Sequence, residues 1–204
     1  MSNPVSTRRR VLTIVIGVVV FIAIFAGVYA LLSSRAESVK ESSSSPTPTA
    51  ASEDITTFTS TDLGYTVDLP ANATSTAENQ VLSGGSTAQT FVTSATAGTG
   101  TYLISTYRYG EGVEFSDDPE ENIDNTIAGM IANTEGAELT KSSIIDLDGE
   151  VARAGVIAVP DAGEQLFVVA FHDGDQYLLL TSGVDAADFE SFVGSFEFGA
   201  RARP

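Results

Sequence analysis

Short bursts of alternating apolar and polar residues run from Phe58 to Phe198. Tyr65-Thr66-Val67-Asp68-Leu69 has the period of two expected of a half-buried strand, and Pro70 stops it. A turn precedes it in Thr59-Ser60-Thr61-Asp62-Leu63-Gly64. Gln89–Ala97 and Thr101–Tyr109 read as strands joined at Gly98-Thr99-Gly100. In the second, Leu103, Ser105, Tyr107 and Tyr109 share one face, and Tyr102, Ile104, Thr106 and Arg108 the other. Ser143–Leu147 and Glu150–Pro160 flank Asp148-Gly149, and Glu164–His172 and Gln176–Ser182 flank Asp173-Gly174. Asp-Gly suits the positive dihedrals of a type I′ turn, so both pairs are expected to be hairpins. The unbroken Leu178-Leu179-Leu180 run predicts a central strand covered on both faces. The polar stretch from Ala71 to Thr87, with Gly84-Gly85 inside it, lacks any such period and reads as a loop.

Two segments change period. Asp118-Pro119-Glu120-Glu121 offers a capping carboxylate, a proline at the first helical position and a glutamate at the third. Ile123, Ile127, Met130 and Ile131 then recur on one helical face, and Gly136 is the expected terminator. Asp185 is expected to cap a second helix through Phe196, with Phe189, Phe192, Val193 and Phe196 as its stripe. Tight turns make neighbouring strands antiparallel, and the helical stripes need a sheet to cover. The expected class is α+β: an antiparallel sheet with two main helices packed on it, preceded by one transmembrane helix.

That third helix is predicted over Val11–Leu32, a run without a single charge that reaches about 33 Å, the thickness of a bilayer core. Arg8, Arg9 and Arg10 adjoin its start and act as topology determinants, keeping the N-terminus in the cytoplasm. A signal peptide cleaved after Ala30 is the rival reading, and the run is longer than a secretory core. Ala23 and Gly27 form a weak small-xxx-small pair. Beyond it, Ser42-Ser43-Ser44-Ser45-Pro46-Thr47-Pro48-Thr49 holds too little apolar surface to offset chain entropy and reads as a disordered spacer. The chain thus divides into a basic tail (1–10), a membrane helix (11–32), a linker (33–56), a domain outside the cytoplasm (57–198) and a flexible tail (199–204).

Charge narrows the choice of partners. The sequence has 27 acidic and 10 basic residues, and every acid lies at or after Glu37. A domain so acidic repels nucleic acid and anionic headgroups. There is no cysteine, which excludes disulfides, thiolate metal sites and a lipid-modified cysteine.

Candidate chemistry is sparse. His172 is the single histidine, and at a strand end beside Asp173 it reads as a structural residue, because a general base also needs a placed nucleophile. Asp146, Asp148 and Glu150 miss the calcium-loop spacing and fit a hairpin turn. Asn72-Ala73-Thr74 is a glycosylation triplet of low specificity. Tyr102, Tyr107 and Tyr109 fit a core better than a ligand groove. No catalytic, cofactor-binding or metal residue is expected.

Three segments carry a resemblance. They are Phe58-Thr59-Ser60-Thr61-Asp62-Leu63-Gly64-Tyr65-Thr66-Val67-Asp68-Leu69-Pro70, then Ile145-Asp146-Leu147-Asp148-Gly149-Glu150-Val151-Ala152, and finally Phe189-Glu190-Ser191-Phe192-Val193-Gly194-Ser195-Phe196-Glu197-Phe198. Together they resemble the PsbP-like fold, in particular membrane-tethered bacterial members of the LpqN lipoprotein type. The resemblance implies an antiparallel sheet with helices on it and a non-enzymatic accessory or binding role. The lipidated cysteine of that type is missing here, and the apolar helix would take its place. The expected function is an envelope accessory module whose partner is the membrane and an envelope protein or small ligand. The alternatives are an envelope sensor or a hydrolase with a non-standard site.

Overall fold

The computed structural model describes residues 54–81, 86–111 and 113–200. The basic tail with Arg8, Arg9 and Arg10, the apolar run 11–32, nearly all of the linker, Gly84-Gly85 and residues 201–204 lie outside the described residues. Among the described residues no helix is long and apolar enough to cross a membrane.

Among the described residues, ten strands and two helices follow in the order β1 (Ile55–Ser60), β2 (Tyr65–Pro70), β3 (Thr74–Val81), β4 (Thr87–Ala97), β5 (Gly100–Tyr109), α1 (Pro119–Ala132), β6 (Glu138–Leu147), β7 (Glu150–Val159), β8 (Gly163–His172), β9 (Asp175–Ser182), α2 (Ala186–Gly194) and β10 (Glu197–Phe198). They form a 7-stranded antiparallel sheet, order β3-β4-β5-β9-β8-β7-β6, and a 3-stranded sheet, order β1-β2-β10.

This corrects the expected α+β class. More than half of the described residues lie in strands, in two sheets, and the helices are short, of 14 and 9 residues. The expected loop 71–87 contains β3, and β6 begins five residues earlier than its alternation implies. Both are outer strands exposed on both faces for most of their length. With nothing to bury, their side chains need no period of two, so only the ladder bonds of one neighbour mark them as strands.

The turns behave as the sequence requires. Asp148 and Gly149 have φ of 50° and 87°, and Asp173 and Gly174 have 50° and 80°. Both central residues of each turn are therefore left-handed, as a type I′ hairpin demands. Asp146 Oδ1 accepts a hydrogen bond from Gly149 N at 3.0 Å, which pins the first turn.

Helix caps also form where expected. Asp118 Oδ1 accepts from Glu120 N at 3.0 Å, and Asp185 Oδ1 accepts from Asp188 N at 2.9 Å. The return arm of the first cap runs through Ser116, whose Oγ accepts from Asp118 N and donates to Glu121 Oε2. Helix α1 stops before Gly136, because Asn133 Nδ2 donates to Gly129 O and Thr134 Oγ1 to Met130 O, satisfying two late carbonyls.

The large sheet is covered on both faces at its centre. Ile123, Ile127 and Met130 of α1 pack with Leu103, Tyr107, Phe167, Val169, Leu178 and Leu180. On the opposite face Phe189, Phe192 and Phe196 join Tyr65, Val67 and Leu69 of β2 over Ile104, Val168, Tyr177 and Leu179. The three leucines of β9 thus alternate between two cores, and β9 is the middle strand of seven. Gly155 is required by close approach. A Cβ there would lie 2.6 Å from Lys141 O and 2.6 Å from Phe167 Cζ.

Candidate functional site

A row of ionisable side chains lies at one end of the large sheet. Because β7 and β8 start or end at Asp-Gly turns, Glu150 and His172 stand beside those turns. His172 faces Asp175 across the second turn, and Asp175 faces Arg108 on β5. Arg108, Asp175, His172 and Glu150 therefore form a row across four neighbouring strands, β5, β9, β8 and β7. All four are on the face covered by the small sheet.

The row alternates in character along its length. Arg108 Nε donates to Asp175 Oδ2 at 3.1 Å, with Asp175 buried and Arg108 part-exposed. The same guanidinium donates from Nη2 to Asp62 O at 3.1 Å and lies 5.5 Å from the centre of the Phe91 ring. His172 Nδ1 is 2.8 Å from Glu150 Oε1, and its Nε2 is 3.9 Å from Asp173 Oδ2. Phe198 of β10 stacks on the imidazole at 4.3 Å and 18°.

The row is roofed by the small sheet. Phe198 N donates to Asp148 Oδ2 at 2.7 Å, Gly199 N to Gly64 O at 2.9 Å, and Tyr177 OH to Leu63 O at 2.7 Å. Ser195 Oγ accepts from Asp68 N at 3.0 Å and donates to Phe192 O at 2.8 Å, so the end of α2 is tied to β2. Chemically, an imidazole with a carboxylate on one nitrogen is an oriented proton donor or acceptor. Here its ring face is spent on Phe198 and its neighbours are carboxylates. The arrangement works as a fastening between the two sheets.

Aromatic packing completes the seam. Tyr65 stacks on Phe196 at 5.4 Å and meets Tyr177 edge-on at 6.3 Å. Tyr65 OH shares a hydrogen bond of 2.9 Å with Thr93 Oγ1. Burial pushes the Tyr65 phenol up to about 12 from its usual 10.0, and burial likewise raises Tyr107 and Tyr109. A phenol whose acidity falls on folding stabilises the fold fully below its unfolded value and loses that contribution as pH rises through the folded one. Unfolding should therefore be promoted between pH 10.0 and about 12, with tyrosinate absorbance at 295 nm appearing together with loss of β circular dichroism. Tyrosinate that titrates with a midpoint near the ordinary phenol value while the fold persists would contradict this burial.

The other singled-out residues are dispersed. Tyr102 packs edge-on against Phe192 at 5.4 Å on the face opposite Tyr107 and Tyr109, so the three tyrosines line no common groove. Tyr109 OH donates to Gln176 Oε1 at 2.8 Å. Asp146 and Asp148 serve the turn and β10, and among the described residues no group of three or more His, Cys, Asp or Glu side chains is placed to hold a metal ion. Asn72 exchanges hydrogen bonds with the Thr96 backbone at 2.9 and 3.0 Å, which commits its carboxamide. Sequence reasoning missed the Arg108–Asp175 pair. A two-residue Asp-Gly turn is enough to set His172 opposite Asp175, although the expected strand began only at Gln176, and nothing local says that β5 and β9 are neighbours.

No protein-family model matches the chain, and no curated protein matches its sequence. Among solved structures it is similar to the cyanobacterial PsbP of Synechocystis sp. PCC 6803, at 14% identity and a TM-score of 0.49, over 76% of this chain and 98% of that one. It is also similar to a Pseudomonas aeruginosa protein of unknown function, at 14% identity and a TM-score of 0.34, over 66% of this chain and 85% of that one. An uncharacterised protein from Mycobacterium smegmatis matches at 13% identity and a TM-score of 0.34, over 71% of this chain and 87% of that one. Likenesses of this degree say nothing of activity or partners.

Proposed function

We propose that the chain is an accessory or binding module of the cell envelope, held at the outer face of the membrane by its apolar segment 11–32. It acts by recognising another envelope component and turns over no substrate. One observation carries this reading: the charged row is engaged within the domain, through Arg108 to Asp62 O and through His172 stacked on Phe198, while the outer strands β3 and β6 stay exposed. The −17 net charge favours a cationic protein surface over nucleic acid as the thing recognised. The three segments that resemble LpqN-type lipoproteins support the narrower assignment, from which the chain departs in having no cysteine to carry a lipid.

Crosslinking the full chain in intact cells, followed by capture and mass spectrometry, tests the reading. A defined envelope protein is expected, enriched over an unrelated membrane-anchored control. Recovery of nothing above that control would defeat it. The native N-terminus, read in the same spectra, separates a retained anchor from cleavage after Ala30.

A further inference from the structure

Three of the six exposed large apolar side chains among the described residues share one face of one hairpin: Leu139 and Ile144 of β6 and Val151 of β7, at 40%, 57% and 41% exposure. They face the same way because Leu139 pairs with Ile157, Ile144 with Arg153, and Asp146 with Val151. β6 is also the last strand of its sheet, so its outer backbone groups lack a neighbouring strand among the described residues. Open backbone and apolar side chains thus coincide. An edge of this kind is a template for an added strand.

The defences of this edge cover only half of it. A register shift between Leu139 and Lys141, and the charge of Lys141 itself, guard its first half. From Ser142 to Leu147 the pairing with β7 is unbroken, without proline or a basic residue. The opposite edge, β3, is Thr-Ser-Thr-Ala-Glu-Asn-Gln-Val and offers backbone without an apolar anchor before its last residue. Charge selects the occupant. Only Arg108, Lys141 and Arg153 are basic among the described residues, and Arg153 is committed to Glu120 and Asp124 of α1. Asp146, Asp148 and Glu150 crowd the unguarded half. A second copy would bring the same acidic surface and be repelled.

We propose that the Ser142–Leu147 edge of β6 is a strand-addition site for an extended segment of a partner protein in which apolar and basic residues alternate. Ile144, flanked by Val151, receives the apolar side chains, and the outer backbone of β6 supplies the ladder bonds. This rests on the accessory reading above.

The probe is an amidated peptide of alternating valine and lysine, added to the full chain in detergent and followed by hydrogen exchange. Slower exchange over Ser142–Leu147 is expected, with affinity about tenfold weaker for Ile144→Ser, an exposed site whose change spares the fold. The peptide N-methylated at every residue keeps charge and apolar content but cannot donate ladder bonds, and it should not bind. Equal binding by that peptide, protection at β3 in place of β6, or an unchanged affinity for Ile144→Ser would overturn the proposal. So would protection of β6 that rises with protein concentration without peptide, since the occupant would then be a second copy. If Ile144→Ser recovers the same crosslinked partner at the parent's yield, β6 is excluded while the accessory reading stands. If the parent recovers none, that reading itself fails.

Discussion

Arg108→Ala should lower the unfolding free energy of the chain by about 3 kcal/mol, read from urea denaturation. The carboxylate of Asp175 is 5% exposed, and its 3.1 Å contact with Arg108 Nε supplies a positive charge that water cannot. Removing one member of such a pair leaves the other desolvated, which costs more than the pair itself contributes. The part-exposed guanidinium, 36% accessible, keeps the loss at the lower end of the range for buried pairs. The variant also loses the bond to Asp62 O that holds the β1–β2 turn on the large sheet, and the contact with Phe91. Replacing both partners, as Arg108→Met with Asp175→Leu, should recover most of the stability, because no buried carboxylate is then deprived of its guanidinium. A double variant as unstable as Arg108→Ala would show that the loss is not one of charge burial.

Phe196→Ala should cost about 4 kcal/mol, the range for deleting a buried aromatic ring. Phe196 is 3% exposed and lies within 6.1 Å, centroid to centroid, of three rings, Tyr65, Tyr177 and Phe198. Those rings come from β2, β9 and β10, so the cavity would open at the junction of the two sheets. Amide exchange should accelerate first in β1, β2 and β10, the Phe198 amide bonded to Asp148 included, before the seven-stranded sheet responds. Phe115→Ala, at a ring already 38% exposed, is the control and should cost well under half as much. Equal losses at the two sites would show that Phe196 holds the junction of the sheets no more strongly than a part-exposed ring.

How much was legible depends on the range of the interaction concerned. Type I′ turns need positive φ at adjacent residues, so Asp148-Gly149 and Asp173-Gly174 announce themselves from two positions. Caps at Asp118 and Asp185 need a carboxylate two or three residues before an amide, and both formed. The Leu178–Leu180 run marks the central strand because burial on both faces leaves no polar position. By contrast β3 and most of β6 bury almost nothing and carry no such mark. Reading the first as a loop hid an edge of the sheet and made the domain look more helical than it is.

The row at the sheet's end shows the same division more sharply. His172 opposite Asp175 follows from the hairpin register, and Glu150 from the turn before it. Arg108 reaches Asp175 because β5 and β9 are adjacent, although α1 and three strands separate them along the chain. The sequence by itself determined the hairpins, the caps, the two-sided central strand and the acidic surface, because each depends on residues a few positions apart or on composition alone. Tertiary structure alone decided which strands became neighbours, that β1, β2 and β10 form a separate sheet, and that β6 lies outermost with Ile144 exposed. Those outcomes depend on which long-range pairing buries the most apolar surface across the whole chain, and no local pattern encodes that choice.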